Sequence, residues 1–159
     1  MLFARVQPVN DCDEPDFGCA EHLLLWACRR SRDESPAGMA RAIEFLEACG
    51  EDGLDVLSAL DMFVEAMAMT KRRRAAFGAP GAHSLTQDEQ HIVTLLAACQ
   101  RDRPDIAERC LERLVDADCR PLARMAAGTL AKAFLLNGLE LHFPAPTRRN
   151  RCPQSALAA

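Results

Sequence analysis

Apolar residues recur every three to four positions over most of this chain, the spacing that lays one face of an α-helix against a core. The first such stretch is predicted from Phe17 to Arg32 behind Asp16 as N-cap, with Phe17, Ala20, Leu24, Ala27 and Cys28 on one stripe. Arg29, Arg30 and Arg32 fall at its end, where positive charge suits the helix dipole. Ser35 and Pro36 open a second helix whose stripe is Met39, Ile43, Leu46 and Cys49, and Gly50 ends it. Asp52, with Asp55 three residues on, starts a third and longest helix reaching about Phe77. Its stripes are Leu54, Leu57, Val64, Met67 and Val56, Leu60, Phe63, Met67, which mark it as the central helix.

The string Gly78-Ala79-Pro80-Gly81-Ala82 is the clearest break in the pattern. Thr86 and Glu89 then form a capping box for a fourth helix carrying Ile92, Leu95, Leu96 and Cys99. A fifth opens at Pro104 with the stripe Ile106, Cys110, Leu111, Leu114 and Val115. A sixth opens at Pro121, carries Leu122, Met125, Ala126, Thr129, Leu130, Ala133 and Phe134, and stops at Gly138. The pattern therefore predicts an all-α, single-domain bundle of about six helices with short connections over residues 16–142. Residues 1–15 read as an irregular lead-in and residues 143–159 as a mobile basic tail.

Composition sharpens this picture. Of 159 residues, 27 are Ala and 20 are Leu against 14 Val, Ile and Thr together, which excludes a mostly β fold. Seven Phe, one Trp and no Tyr leave the core to be filled by Leu, Ala, Met and Cys. A net charge of −4 supplies no global field for nucleic acid or an anionic membrane. Seventeen Arg against two Lys, with so much Ala, is the composition of a GC-rich bacterial genome. The N-terminus lacks a basic stretch followed by an apolar one, and the apolar run Leu23 to Cys28 is far short of the ~18 residues that span a membrane. A cytoplasmic location is the expectation, with Cys28, Cys49, Cys99, Cys110 and Cys119 as reduced, helix-borne thiols.

Candidate chemistry is sparse. Cys12, Cys19 and His22, with Cys28, could supply soft ligands to zinc, although the spacing C-x6-C-x2-H-x5-C matches no established ligand pattern. Cys12 and Cys19 near a helix N-terminus, and Cys152 in the tail, are the thiols placed for redox sensing. His91, following Asp88 and Glu89, suggests a phosphotransfer histidine, but no Lys or Gly follows it and a surface His is the plainer reading. Asp61 and Glu65 lie one turn apart, a spacing that more often marks a solvated face than an ion site. Glycine-rich phosphate loops, serine nucleophile elbows and HExxH are absent.

The densest charge feature is Lys71-Arg72-Arg73-Arg74, predicted to close the third helix. It would neutralise phosphates in a nucleic-acid complex, or merely complement the helix dipole. The fifth and sixth helices have the length of a helix-turn-helix, but the second of them is apolar around Met125, Ala126, Leu130 and Phe134, which argues against nucleic acid as a partner.

The segment Leu23-Leu24-Leu25-Trp26-Ala27-Cys28-Arg29-Arg30, the Leu85-Thr86-Gln87-Asp88-Glu89 helix start and the Cys110 to Phe134 stretch with Cys119 resemble a family of small, uncharacterised, all-helical alphaproteobacterial proteins, over about residues 20–140. That resemblance implies an all-helical fold and no known activity. It also implies a cysteine-rich turn before the cap, where this chain has Gly78 to Ser84 without cysteine.

Extensive amphipathicity without a catalytic constellation leads to the expectation of a helical interaction or regulatory module without intrinsic catalysis, acting on a protein partner or a second copy of itself. Its adaptable surface is expected around Met62, Met69 and the cations Lys71, Arg72, Arg73 and Arg74, with Phe63 and Met67 in the core. The competing expectations are a metal- or thiol-based sensor using Cys12, Cys19 and His22, and nucleic-acid binding through residues 71–74.

Overall fold

The computed structural model describes residues 17–31 and 37–145, and within them the chain is all α with no strand. The helices are α1 (Cys19–Arg30), α2 (Ala37–Cys49), α3 (Gly53–Ala68), α4 (Gln87–Gln100), α5 (Pro104–Leu114) and α6 (Arg120–Leu136). Short 3-10 turns at Gly50–Asp52 and Ala117–Cys119 join α2 to α3 and α5 to α6. The principal packing pairs are α2 with α3, α3 with α6, α4 with α5, and α4 with α6. Residues 1–16, and with them Cys12 and the expected cap Asp16, lie outside the described part, as do Arg32, Ser35, Pro36 and residues 146–159 with Cys152.

Elements with strong local signals form where the pattern places them. α4 starts behind Thr86, α5 has Pro104 in its first turn, and α6 has Pro121 in its first turn. Gly138, at φ 73°, ends α6 in a Schellman turn: Leu139 N–H donates to Phe134 O at 2.9 Å and Gly138 N–H to Leu135 O at 3.1 Å. α1 is shorter than predicted, beginning at Cys19 behind Gly18 and closing on Ser31, whose hydroxyl donates to Cys28 O at 2.6 Å.

Three expectations are corrected. First, the Met39, Ile43, Leu46 stripe of α2 faces outward, while Arg41 and Phe45 turn inward, Phe45 to sit 6.4 Å from the ring of Phe134. Arg41 is tolerated inside because Asp61 on α3 pairs with it. Second, the most enclosed helix is α4, not α3: Ile92, Val93, Leu95, Leu96, Ala97 and Ala98 are all fully buried. Small side chains on α4 and α6 (Ala97, Ala98, Ala123, Ala127, Ala131) are what fill that interior, which is how a chain poor in aromatics makes a dense core.

Third, α3 ends at Ala68, so residues 71–74 do not close a helix. From Thr70 the chain runs to α4 without helix or strand, and carboxylates from elsewhere take up its backbone donors. Asp116 Oδ2 accepts from Lys71 N–H at 2.8 Å and Arg72 N–H at 3.2 Å. Asp88 Oδ2 accepts from Ala76 N–H at 2.7 Å, and Glu89 Oε1 from Gly78 N–H at 3.0 Å. Leaving the helix lets Arg72 and Arg73 each reach an acid on another element.

At the end of this strap the capping box is complete. Thr86 Oγ1 accepts from Glu89 N–H at 3.1 Å, Glu89 Oε2 accepts from Thr86 N–H at 2.9 Å, and the Thr86 hydroxyl donates back to Ala76 O at 2.6 Å. Thr86→Ala removes both hydroxyl bonds, and we expect a loss of about 1 kcal/mol in urea unfolding. A Thr86→Ser variant keeps the hydroxyl and should recover most of that loss.

Candidate functional site

Of the sequence-predicted metal residues, Cys12 lies outside the described residues, and Cys19, His22 and Cys28 do not converge. Cys19 and His22 are exposed at the start of α1, His22 edge-on to Phe17 at 6.2 Å between ring centres. Cys28 stands nine positions after Cys19, half a turn out of phase, so it faces the core; burial pushes its thiol up to about 12. Among the described residues no three His, Cys, Asp or Glu side chains form a group suited to a metal ion. Burial likewise raises Cys110 to about 11, and raises Cys49 and Cys99, which keeps these thiols protonated and unreactive.

His91 is half-buried, and loss of solvation together with the charge of Arg113 lowers its pKa, so it is neutral at pH 7. Asp61 pairs with Arg41 through one carboxylate oxygen, and Asp61, Glu65 and Arg74 border a shallow cleft of about 320 Å³. Of the cation cluster, Arg73 pairs with Asp88 at 2.7 Å and Arg72 with Asp116 at 3.4 Å, while all four residues 71–74 remain exposed. Met62 and Met69 are exposed, whereas Phe63 and Met67 are core.

Two polar constellations escaped the sequence reading. The larger is built on the first turn of α4. The Glu89 carboxylate is fully buried and accepts from Arg29 Nε at 2.7 Å and Arg29 Nη2 at 3.0 Å, besides the Gly78 and Thr86 amides. Burial works to raise this carboxyl, but Arg29 and the two amides outweigh it and hold it below the usual carboxylate value. Arg29 also donates to Ala82 O at 2.7 Å and Ser84 O at 3.2 Å, so one side chain of α1 fixes the whole turn ahead of α4. The smaller constellation is Glu21, buried in the first turn of α1. Its Oε1 accepts from His142 N–H at 2.6 Å and lies 3.2 Å from the His142 ring, while Oε2 has no partner.

Between α1 and the turn that Arg29 fixes lies a cleft of about 190 Å³. Phe17, Leu25, Trp26 and Leu85 supply its apolar wall, and Arg30, His22 and His83 its polar one. The Arg30 guanidinium sits over the Trp26 ring, 5.0 Å from its centre. The Trp26 and Arg30 spacing of one helical turn is visible in the sequence; the opposing wall, more than fifty residues away, is not.

Comparison with family models, with curated proteins and with solved structures returned no match. No helix among the described residues is long and apolar enough to cross a membrane.

Proposed function

We propose that this chain is a helical interaction module without intrinsic catalysis, whose docking surface is the outward face of α2. The observation that carries the reading is an inversion on that helix. Met39, Ile43 and Leu46 are 73%, 49% and 41% exposed, while Arg41, two residues after the first of them, is 8% exposed. A helix that turns an arginine inward and leaves an i, i+4, i+7 apolar stripe in water has its hydrophobic face aimed at something outside the fold. Leu54, exposed at the start of α3 directly after the α2–α3 turn, belongs to the same end of the hairpin. Met39 and, on α3, Met62 supply thioethers that adapt to varied partner shapes.

The occupant that fits is the apolar stripe of a partner protein's helix, packed along α2 in the helix-to-helix manner. Nucleic-acid binding through residues 71–74 has less support, because Arg72 and Arg73 already neutralise acids of the same chain. A zinc or thiol sensor built on Cys12, Cys19 and His22 gains no support from Cys28, which faces the core.

The test is a crosslinked pull-down from the source cells with the wild-type chain and with Ile43→Glu/Leu46→Glu, alongside light scattering of both. Because both side chains are substantially exposed, the double variant should fold with stability within about 0.5 kcal/mol of wild type per site. A defined protein captured by the wild type and lost with the variant supports the reading. A wild-type dimer that the variant converts to monomer identifies a second copy as the occupant instead. Equal capture by both proteins, with both monomeric, sinks it.

A further inference from the structure

We propose that the cleft between α1 and the 79–85 turn binds a small planar aromatic anion, a single ring bearing one carboxylate or phosphate, with the ring against Trp26 and Phe17 and the negative group toward Arg30. Size is the first argument. A cavity of about 190 Å³ is far larger than a water site and too small for a drug-sized molecule, so it accommodates one ring with one substituent.

The second is the chemistry of the walls. In a chain with 5% aromatic residues, its one Trp and one of its seven Phe meet in this cleft, both half-buried with part of their surface in contact with solvent. Aromatic faces left partly open in a concave site favour a flat apolar guest over water.

Third, the charge is one-sided. No Asp or Glu lines the cleft among the described residues. Arg29 is consumed by Glu89 and two carbonyls, but Arg30 makes no ion pair with a described carboxylate, and its Nε is buried with no hydrogen-bond partner. Its guanidinium is instead held over Trp26, a planar cation with donors to spare beside an aromatic wall. An anionic group supplies what Arg30 lacks, and a cation would be repelled.

Finally, the site is set before any ligand arrives. Arg29 pins the far wall through Ala82 O and Ser84 O, Ala82 N–H closes the turn on Ala79 O at 3.0 Å, and Gly81 takes φ 82° to make that turn. A preformed cleft loses little freedom on binding, which is what lets so small a ligand be retained.

Trp26 is the chain's one tryptophan and there is no tyrosine, so its fluorescence reports on this cleft and nothing else. The full-length protein would be titrated with benzoate, phenyl phosphate, cyclohexanecarboxylate, inorganic phosphate and benzylamine. Ligand-observed saturation-transfer NMR on the same series covers binding that leaves the emission unchanged. We expect saturable binding of benzoate or phenyl phosphate, at least about fivefold tighter than inorganic phosphate, cyclohexanecarboxylate or benzylamine. Whichever of the two aryl anions binds more tightly tells whether the natural group is a carboxylate or a phosphate. Arg30→Gln should weaken that binding about tenfold or more with an unchanged melting temperature. Three results overturn the proposal: no saturable binding by either method up to ~10 mM, benzylamine binding as well as benzoate, or Arg30→Gln binding like wild type. The comparison of benzoate with benzylamine needs only the wild-type chain, so the test stands even if the variant misfolds.

Discussion

Replacing Arg29 with Ala should be among the most damaging single changes in this protein, costing about 3 kcal/mol in urea unfolding. The loss does not come from an ion pair being worth that much in itself. It comes from leaving the Glu89 carboxylate inside the protein with two amide donors and no positive charge. The figure sits at the lower end for such pairs because Arg29 also borders the open cleft, where water can reach it. The variant should lose the turn as well, since Ala82 O and Ser84 O give up their donors together with Glu89.

The same node sets the acid limit. The Glu89 carboxyl is held below its ordinary value in the folded chain, so its contribution is complete above the unfolded value of about 4.3 and is lost as pH falls through the lower, folded one. Asp88 is depressed in the same direction: burial opposes the shift, and Arg73 and the Ala76 amide overcome it. Unfolding free energy measured against pH should therefore fall steeply below about pH 4 in the wild type and less steeply in Arg29→Ala. An unchanged slope in the variant would show that Arg29 is not what depresses Glu89.

Gly53→Ala is the second large effect, and its sign is the point of interest. At the first turn of a helix, exchanging Gly for Ala ordinarily gains up to about 1 kcal/mol, because Gly gives up more freedom on folding. Here an added Cβ would stand 2.4 Å from the Phe45 carbonyl oxygen and 2.7 Å from the Leu46 Cα, both of them backbone atoms that cannot swing aside. The α2–α3 hairpin would have to open, carrying Phe45 away from Phe134. A loss of about 3 kcal/mol is expected, read as a drop in both urea midpoint and melting temperature. Gly38→Ala on α2, where nothing lies within 4 Å of the added carbon, is the control and should be neutral or stabilising.

How far the sequence carries depends on how local each signal is. The Thr86 and Glu89 cap, Pro104 in the first turn of α5 and the Gly138 stop involve residues within a few positions of one another, and each is legible as written. The direction in which α2 faces is not. A stripe at Met39, Ile43 and Leu46 has the same period whether it meets a core or water, and what decided it was Asp61, twenty positions on, accepting Arg41 inside. The end of α3 fails for a related reason. Lys71 to Arg74 are good helix formers in isolation, and only Asp88 and Asp116, on other elements, show why the backbone leaves the helix there.

The site follows the same division. Arg29 looks like a dipole-compensating residue until Glu89, sixty positions away, is placed beside it. The Trp26 and Arg30 pair can be seen one turn apart in α1, but a cleft needs a second wall, and the 79–85 turn becomes one only when α1 and α4 dock. In the sequence Cys28 fits both the core stripe of α1 and a zinc set with Cys19; half a turn of rotation separates the two thiols, and the buried position of Cys28 favours the first.

The strap after α3 has a kinetic consequence. Its amides are satisfied by carboxylates eleven to forty-five positions further along the chain, so it has no way to order itself while the helices are still finding one another. Closing such loops adds little entropy cost once α4 and the α5–α6 turn exist, which puts the strap among the last parts to lock and the first that must release. Interactions formed that late leave the rate of folding nearly untouched and act as a brake on unfolding. Asp88, Glu89 and Asp116 are therefore expected to govern how long the native state lasts rather than how quickly it is reached.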